Sequence, residues 1–600
     1  MTVHSLEIAV LAKAYADGGL SPAAVLDAVH DRIAAMGERP VWIHLLSRAD
    51  TGRRLAAAEA RRAAGEELPL FGIPFAVKDN IDVAGLPTTA GCPEFAYTPD
   101  RSATVVERLE AAGAILIGKT NLDQFATGLV GTRSPYGACS SVFDARYVSG
   151  GSSSGSGVAV GAGLVSFALG TDTAGSGRVP AAFNNIVGLK PTKGLVSAAG
   201  VVPACRTQDC VSIFAGTAGD ALAVLAVTGA YDAADPYSRT APAGATLPAP
   251  LPPGFRFGVP ADGLEFFGDE AAAALFAASA DRMEALGGVR VAVDFTPFRD
   301  AAQLLYSGPW VAERLAAIRP FAESNPEAIH PVVRGIVLGA ATIGAADAFA
   351  GFYRLAELIR RAEAEWAKMD VLLLPTTGTT YTIAELAAEP VRLNSNLGYY
   401  TNFVNLMDLS AIAVPAGFRA NGLPFGVTLV GRAFADGGLA ALADRFHRAQ
   451  VLPIGATGHL PEGPPPDADR AAPGTVRLAV VGAHLSGQPL NHQLTGCGAR
   501  LVRTARTAEG YRLHALAGTV PAKPGLVRDP AGAGGIELEV WELDDAAFGR
   551  FVAEVPAPMT IGTVVLEDGT PVKGFLCEPI ALQGAEDITR FGGWRRWLAR

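Results

Sequence analysis

The sequence has 600 residues, of which 49% are hydrophobic and only 18% are charged, so it can bury a large core and is not a disordered chain. Its 49 basic and 59 acidic side chains give a formal net charge of −10. This balance argues against a nucleic-acid-binding protein, because such proteins carry a basic face or stripe. The length suggests two or three domains.

Cysteine usage and the apolar stretches bear on the cellular compartment. The six cysteines include no C-x-x-C pair, so we expect neither a disulfide framework nor a structural zinc site. The N-terminus lacks the basic-then-apolar layout of a signal peptide, and the longest apolar stretch, 158–171, is too short to cross a bilayer. These features predict a soluble protein of the reducing cytoplasm.

The periodicity of apolar residues predicts alternating helices and strands. Helical spacing predicts helices at 6–35, 50–67, 103–112, 269–286, 311–323 and 345–369. Short apolar runs that do not alternate are typical of buried strands, and they lie at 69–82, 113–119 and 371–374. The pattern indicates an α/β fold with a central mixed sheet flanked by helices.

A change of composition separates this region from the end of the chain. We interpret 1–455 as one domain, 456–474 as a Pro/Gly-rich linker, and 475–600 as a small, β-rich α+β domain. Strands are predicted in the last of these at 476–482, 498–505, 536–543 and 563–566, with a hairpin turn at 567–569.

The segment 149–180 is the most unusual in composition. It contains two Gly/Ser-rich loops, 150–157 and 175–177, on either side of an apolar stretch. Such loops bring backbone N–H groups close to an anion, either a phosphate or a developing oxyanion. A phosphate loop is disfavoured because no G-K-[ST] follows. One such loop alone would more often be a tight turn, but two in tandem favour a site.

Lys78 is the first candidate for acid–base chemistry. Lysine is rare in this sequence, and Lys78 lies at the end of the apolar run GIPFAV. A desolvated lysine can lose its proton and act as a base, whereas arginine cannot. The alternative is a lysine at a strand end that reaches solvent or pairs with Asp79.

Three sequence blocks carry a resemblance to a known family. GIPFAVKDN at 72–80, GGSSSGSG at 150–157 and GTDTAGSGRVPA at 170–181 resemble the signature blocks of the amidase signature enzymes. Further similarity at 188–194, 405–417 and 422–429 extends the resemblance over most of residues 1 to about 450. It implies the amidase signature fold.

The resemblance implies a Ser–cis-Ser–Lys triad. Ser176 would be the nucleophile, which needs a neighbour to take its proton. Ser152, preceded by a cis peptide bond, would pass that proton to a neutral Lys78, which later returns it to the leaving amine. Ser153 and Ser154 are the alternative relays.

The same resemblance implies an oxyanion hole and a reaction without a metal or a cofactor. The oxyanion would be bound by the backbone N–H groups of four residues: Thr173, Ala174, Gly175 and Ser176. Small side chains allow the backbone to approach the oxyanion closely.

A second resemblance narrows the subfamily. LYSGPWVAERLAA at 305–317 resembles a segment of allophanate hydrolases that supplies a tyrosine and an arginine to grip the substrate carboxylate. The matching residues are Tyr306 and Arg314, and Gly128 is a further substrate-binding candidate. A guanidinium fork suits a carboxylate, and a phenol adds one donor. The alternative is a packed tyrosine and a solvated arginine.

The C-terminal region supports the same subfamily. VVGAHLSGQPLNHQL at 480–494 and YRLHALAG at 511–518 resemble the C-terminal domain of allophanate hydrolases, which is distantly similar to γ-glutamylcyclotransferase-like folds. Within this resemblance His484 is the candidate functional residue, and the implied activity is decarboxylation of the first product. A purely structural role in assembly is the alternative.

Together these resemblances predict hydrolysis of allophanate (urea-1-carboxylate) to ammonia and carbon dioxide, in urea or s-triazine degradation. The alternatives are a small-amide amidase of the malonamate type, a silent binding module, and one subunit of a glutamine-dependent tRNA amidotransferase. We expect a homodimer that is functionally coupled to a urea carboxylase or a biuret hydrolase, with no nucleic-acid or membrane partner.

Overall fold

The computed structural model describes residues 5–242, 251–252, 254–465 and 475–600. They fall into two compact units: the first comprises 5–241, 251–252 and 254–465, and the second comprises 475–600 together with residue 242. Residues 456–465 of the predicted linker belong to the first unit, where Ala456 N–H donates to the carbonyl of Gly161 (2.7 Å). The rest of the predicted linker, 466–474, lies outside the described residues.

The centre of the first unit is a mixed sheet, as predicted, and the sheet has eleven strands. Its spatial order is β1-β3-β2-β4-β6-β5-β10-β11-β9-β7-β8. The strands are β1 (Trp42–Leu45), β2 (Pro74–Lys78), β3 (Ile115–Thr120), β4 (Phe167–Asp172), β5 (Val187–Lys190), β6 (Cys210–Ala215), β7 (Arg256–Pro260), β8 (Val289–Val293), β9 (Val371–Pro375), β10 (Leu409–Phe418) and β11 (Pro424–Arg432).

The strand directions explain where reactive side chains of the sheet can gather. β2 pairs in parallel with both β3 and β4, whereas β4, β6, β5, β10, β11 and β9 pair with one another in antiparallel fashion. Every residue of β2, β3 and β4 is buried, which accounts for their continuous apolar runs. The carboxyl ends of β2 and β4 therefore lie side by side.

Helices cover the sheet. They are α1 (Ile8–Ala16), α2 (Pro22–Met36), α3 (Arg48–Ala63), α4 (Thr104–Ala111), α5 (Ser154–Gly161), α6 (Val179–Phe183), α7 (Ala218–Thr228), α8 (Glu270–Ala285), α9 (Thr296–Ser307), α10 (Trp310–Ser324), α11 (Pro331–Gly339), α12 (Ala345–Trp366), α13 (Ile383–Ala388), α14 (Arg392–Leu397), α15 (Phe403–Leu406) and α16 (Asp436–Arg448). The predicted helical stretch 6–35 is two helices, because α2 starts afresh where the Ser21 hydroxyl caps Ala24 N–H (3.2 Å).

The second unit is β-rich, as predicted. A five-stranded sheet has the order β13-β16-β12-β18-β17, and a three-stranded sheet has the order β15-β14-β19. The predicted turn at 567–569 joins an antiparallel hairpin. The elements are β12 (Thr475–Val480), α17 (Asn491–Gly496), β13 (Arg500–Arg506), β14 (Tyr511–Ala515), β15 (Pro524–Arg528), β16 (Glu537–Asp544), α18 (Asp545–Ala553), β17 (Met559–Val565), β18 (Pro571–Cys577), β19 (Glu586–Asp587) and α19 (Trp594–Leu598).

In the part of the chain that the structure describes, no single helix is long and apolar enough to cross a membrane. The segments Pro331–Thr342 and Ala345–Trp366 meet the length and composition criteria only as a pair, and they are bent by 102° relative to each other.

Candidate active site

The three triad candidates come from neighbouring elements of the first unit. Lys78 is the last residue of β2, Ser176 lies in the turn that follows β4, and Ser152 lies in the loop before α5. Because β2 and β4 are adjacent and parallel, their carboxyl ends deliver Lys78 and the Ser176 turn to the same edge of the sheet. All three side chains are buried.

Lys78 is held by two hydroxyl groups. Its side-chain nitrogen lies 2.7 Å from Ser152 Oγ and 2.7 Å from Thr171 Oγ1. Burial lowers the pKa of Lys78 from its ordinary value to about 7, although the carboxylates of Asp123 and Asp209 oppose that shift. A large fraction of the amine is therefore neutral near pH 7.

Of the three serines considered as proton relays, only Ser152 forms a hydrogen bond with Lys78. The bond between Gly151 and Ser152 is cis, as the family resemblance implies. Ser153 Oγ instead donates to the carbonyl of Thr171 (3.1 Å), and Ser154 Oγ donates to the carbonyl of Asn121 (3.3 Å). Both alternative relays thus have other partners.

The turn that carries Ser176 is tied together by the carboxylate of Asp172. This carboxylate accepts the backbone N–H groups of Gly175 (2.9 Å) and Gly177 (3.0 Å) and two bonds from the Arg178 guanidinium (2.9 Å each). Burial alone would raise the pKa of Asp172, but the Arg178 charge holds it below its ordinary value. The carboxylate is therefore ionised and braces the turn.

This brace corrects the prediction for Gly175. Its N–H points to Asp172, so it is not available to an oxyanion in this structure. A Cβ at position 175 would lie 2.4 Å from Thr401 Oγ1, at a φ of +127°, so a close approach of the chain explains the glycine. The N–H groups of Thr173, Ala174 and Ser176 donate to no acceptor in the described residues, and they remain the candidate oxyanion donors.

Tyr306 and Arg314 lie together, near Gly128, the third substrate-binding candidate. Arg314 donates to Tyr306 Oη (3.3 Å) and to Thr127 Oγ1 (3.0 Å), and Thr127 immediately precedes Gly128. Arg314 is 2% exposed, and none of the described carboxylates forms an ion pair with its guanidinium. Its Nε has no hydrogen-bond partner in the same described ranges. A buried guanidinium that has no carboxylate partner favours the binding of an anion.

Electrostatics link Arg314 to the triad. The positive charge of Arg314 helps to lower the pKa of Lys78, and the carboxylate of Asp209 acts on both groups. Burial raises the pKa of Asp209 to about 6. Asp209 also accepts a hydrogen bond from Thr173 Oγ1 in the turn that carries Ser176, residues 172–178, which we call the nucleophile turn. The carboxylate-binding candidates and the triad therefore share one electrostatic environment.

Several residues of this site were not singled out from the sequence. Thr171 and Arg178 lie inside the block GTDTAGSGRVPA, so the block itself was the available signal. Arg133 lines, with Tyr306, a cavity of about 330 Å³, and its guanidinium donates to the carbonyl of Thr127 (3.0 Å). No motif in the sequence marks Arg133 or Asp209, which also bond residues far along the chain: Arg133 donates to the carbonyl of Pro390, and Asp209 accepts from Thr173.

His484, the candidate in the second unit, lines a cavity of about 250 Å³. Its Nε2 lies 2.8 Å from Gln493 Oε1, and its ring stacks on Phe575 with 5.0 Å between centroids. Burial lowers the pKa of His484, so the ring is neutral near pH 7. Lys523 and Glu554 line the same cavity and supply the charged groups there.

Metal ligands are not clustered within the described ranges: no group of three or more His, Cys, Asp or Glu side chains is placed to hold a metal ion. The triad candidates and the Arg314 site supply hydroxyl, amine, phenol and guanidinium groups. These groups suit nucleophilic and acid–base chemistry on a substrate that carries negative charge.

Comparison with protein families gives two matches. Residues 24–439 match the family described as amidase, and residues 476–599 match the allophanate hydrolase C-terminal domain. The two matches correspond to the two compact units.

Individual relatives agree with these matches. Urea amidolyase from Lachancea kluyveri is 44% identical over 580 residues, which cover 94% of this chain but 31% of the relative, so the chain spans about a third of that protein. The structure of Kluyveromyces lactis allophanate hydrolase superposes with a TM-score of 0.79 at 43% identity, covering 97% of both chains. A glutamyl-tRNA(Gln) amidotransferase chain from Symbiobacterium thermophilum is 36% identical, over 74% of this chain and 96% of its own.

Proposed function

Since the chain belongs to the amidase family and carries an allophanate hydrolase C-terminal domain, we propose that it hydrolyses allophanate to ammonia and carbon dioxide. The observation that carries the choice of substrate is Arg314, a buried guanidinium without a carboxylate partner in the described residues, beside Tyr306. Allophanate offers a carboxylate to this pair and an amide carbonyl to Ser176.

The geometry supports a two-step reaction. Ser176 Oγ attacks the amide carbonyl carbon while Ser152 takes the hydroxyl proton and passes its own to the neutral amine of Lys78. The negative oxygen of the tetrahedral intermediate is held by the free N–H groups of the nucleophile turn. Lys78 then returns the proton, through Ser152, to the leaving ammonia. Water attacks the acyl-enzyme by the same route and frees Ser176.

Comparison of four substrates tests this proposal against its alternatives. Purified protein would be assayed for ammonia release from allophanate, malonamate, biuret and glutamine. Allophanate should give the highest kcat/KM. Preference for malonamate would indicate a small-amide amidase, and preference for glutamine would indicate an amidotransferase, the activity named for the Symbiobacterium relative.

Arg314→Ala should mainly raise KM for allophanate, because the guanidinium grips a group remote from the reacting carbonyl. Losing one charged partner of a desolvated carboxylate should cost roughly 2–5 kcal/mol of binding free energy. Arg319→Ala, an exposed arginine on the same helix paired with Glu323, is the matched control and should behave as the parent enzyme. An unchanged preference for allophanate over a neutral amide in Arg314→Ala would remove Arg314 from the substrate site.

We further propose that the second unit removes carbon dioxide from N-carboxycarbamate, the product of the first unit. In this step the carbon–nitrogen bond to one carboxylate breaks, carbon dioxide leaves, and the nitrogen takes up a proton to give carbamate. The cavity that His484 and Lys523 line is the candidate site, because a cation beside a neutral imidazole suits a small dianion.

His484→Ala in the full-length chain should leave release of the first ammonia unchanged and slow release of the second. Ammonia would be measured by a coupled assay, with light scattering to follow the oligomer. His492→Ala, which changes an exposed histidine outside the cavity, is the control. Suppose instead that His484→Ala releases both ammonia equivalents as the parent does, while truncation of the second unit changes the size of the oligomer. Those results together would favour a structural role for the second unit.

For the assembly and cellular setting we propose a homodimer in a reducing cytoplasm. The relatives from Lachancea kluyveri and Saccharomyces cerevisiae are urea amidolyases, so coupling to a urea carboxylase is the first choice and coupling to a biuret hydrolase the second. All six cysteines are free, which fits a reducing compartment. Light scattering of the purified protein would measure the oligomer.

A further inference from the structure

The segment Ala204–Asp209 lies between the nucleophile turn and helix α10. At its carboxyl end, Asp209 accepts hydrogen bonds from Thr173 Oγ1 (2.5 Å) and from the N–H of Ala204 (2.8 Å). The segment is also closed upon itself, because Gln208 and Asp209 both donate their N–H groups to the carbonyl of Cys205 (2.8 Å each). It is therefore a short, internally bonded connection rather than an open loop.

A second tie joins this segment to the base of the nucleophile turn. The side-chain amide of Asn405 donates to the carbonyl of Asp172 (2.8 Å) and to the carbonyl of Gln208 (2.9 Å). Asp172 is the residue whose carboxylate braces the turn. The segment is thus fixed to the nucleophile turn at two points, Thr173 and Asp172.

The other face of the segment is bonded to α10. The carboxylate of Glu313 accepts the N–H of Thr207 (2.7 Å) at one oxygen and the Thr207 hydroxyl (2.8 Å) at the other. The Cys205 thiol lies 3.4 Å from the carbonyl of Trp310, the first residue of α10. Glu313 directly precedes Arg314, so the first turn of the helix that carries the guanidinium is anchored to the segment.

We propose that Glu313, through Thr207 and the segment Ala204–Asp209, sets the separation between the Arg314 guanidinium and the oxyanion-binding N–H groups, and thereby selects substrates by length. This inference rests on the proposed function. The selected class is amides whose carboxylate carbon is separated from the scissile carbonyl carbon by one atom, as in allophanate and malonamate. Amides with one more methylene, such as succinamate, would be rejected because both ends cannot be bound at once. Glu313 is a positioning residue, since it acts through Arg314.

The test compares malonamate with succinamate in Glu313→Ala. The ratio of their kcat/KM values should fall at least tenfold relative to the parent enzyme, with most of the change in KM for malonamate. The loss of kcat/KM for a neutral amide should be smaller, because a neutral amide does not use Arg314. Glu313→Gln, which keeps an acceptor for the Thr207 N–H, should restore part of the ratio. Glu323→Ala, at the exposed end of the same helix, is the matched control.

Two further results make the outcome decisive. If Glu313→Ala does not fold, Thr207→Val removes one of the two bonds to Glu313 and should shift the ratio in the same direction by a smaller factor. Suppose that the parent enzyme prefers carboxylated amides but the folded Glu313→Ala variant keeps the same ratio of kcat/KM for malonamate to kcat/KM for succinamate. That result would overturn this inference and leave the proposed function standing. A parent enzyme without that preference would instead overturn the proposed function.

Discussion

Ser176→Ala should abolish hydrolysis of allophanate while leaving the fold intact. The substitution removes the atom that would form the acyl-enzyme, and loss of a nucleophile that acts within a triad commonly lowers kcat by about 10⁶-fold. Only a hydroxyl group is lost, from a turn whose shape depends on the Asp172 carboxylate rather than on Ser176. Steady-state rates and a thermal melt of the same preparation would measure both effects.

Ser154→Ala is the matched control for this experiment. Ser154 is a buried serine at the first position of α5, two residues after Ser152, and its hydroxyl donates to the carbonyl of Asn121. We expect it to retain most of the activity. If Ser176→Ala kept more than a few per cent of the parent rate, with contaminating enzyme excluded, the nucleophile would have to be another residue.

Lys78→Arg should be nearly as damaging as Lys78→Ala. The proposed relay needs a neutral amine that accepts a proton from Ser152, and a guanidinium remains charged at any usable pH. Arginine is also larger, and Lys78 is completely buried among hydroxyl groups. The rates of both variants would be measured beside Lys368→Arg, a surface lysine paired with Glu365 that serves as the control.

The pH dependence of kcat/KM follows from the protonation of the Lys78 amine. Burial places the pKa of Lys78 at about 7, so the amine gains a proton and ceases to be a base as the pH falls through that value. The kcat/KM of the parent enzyme should therefore fall on the acid side of about pH 7 and level off above it. Substantial turnover by Lys78→Arg, or an acid-side profile that stays flat, would mean that Lys78 acts as a fixed positive charge.

Local sequence blocks predicted the fold class and three strands of the first-unit sheet, β2, β3 and β9, and the family resemblance proposed the triad. Lys78 closes an apolar run that became β2, and the Ser176 turn follows the run that became β4. Each run is buried along its whole length, so its composition carries a strong signal. The mixed α/β architecture and the β-rich second unit were predicted for the same reason.

Features that depend on contacts between distant residues could not be predicted in this way. The partners of Arg314 lie near Thr127, and those of Glu313 lie at Thr207, far away along the chain. The family resemblance assigned the N–H of Gly175 to the oxyanion hole, but in this structure that N–H donates to the neighbouring Asp172 carboxylate. Eight strands of the first-unit sheet, including the inner strands β4 and β6, were not predicted as strands. The edge strand β8, for example, has only Val293 buried and resembles a loop in composition.

The fully engaged carboxylate of Asp172 limits how this region of the sequence can diverge. Its two oxygens receive four donors, two from the backbone and two from Arg178. An asparagine would present two hydrogens to those donors, and a glutamate would carry the oxygens too far from them. Asp172 and Arg178 cannot be substituted one at a time, because changing Arg178 would leave the buried charge of Asp172 without a partner. Positions 172 and 178 should therefore change only together during evolution, whereas exposed positions such as Val289 on β8 can vary independently.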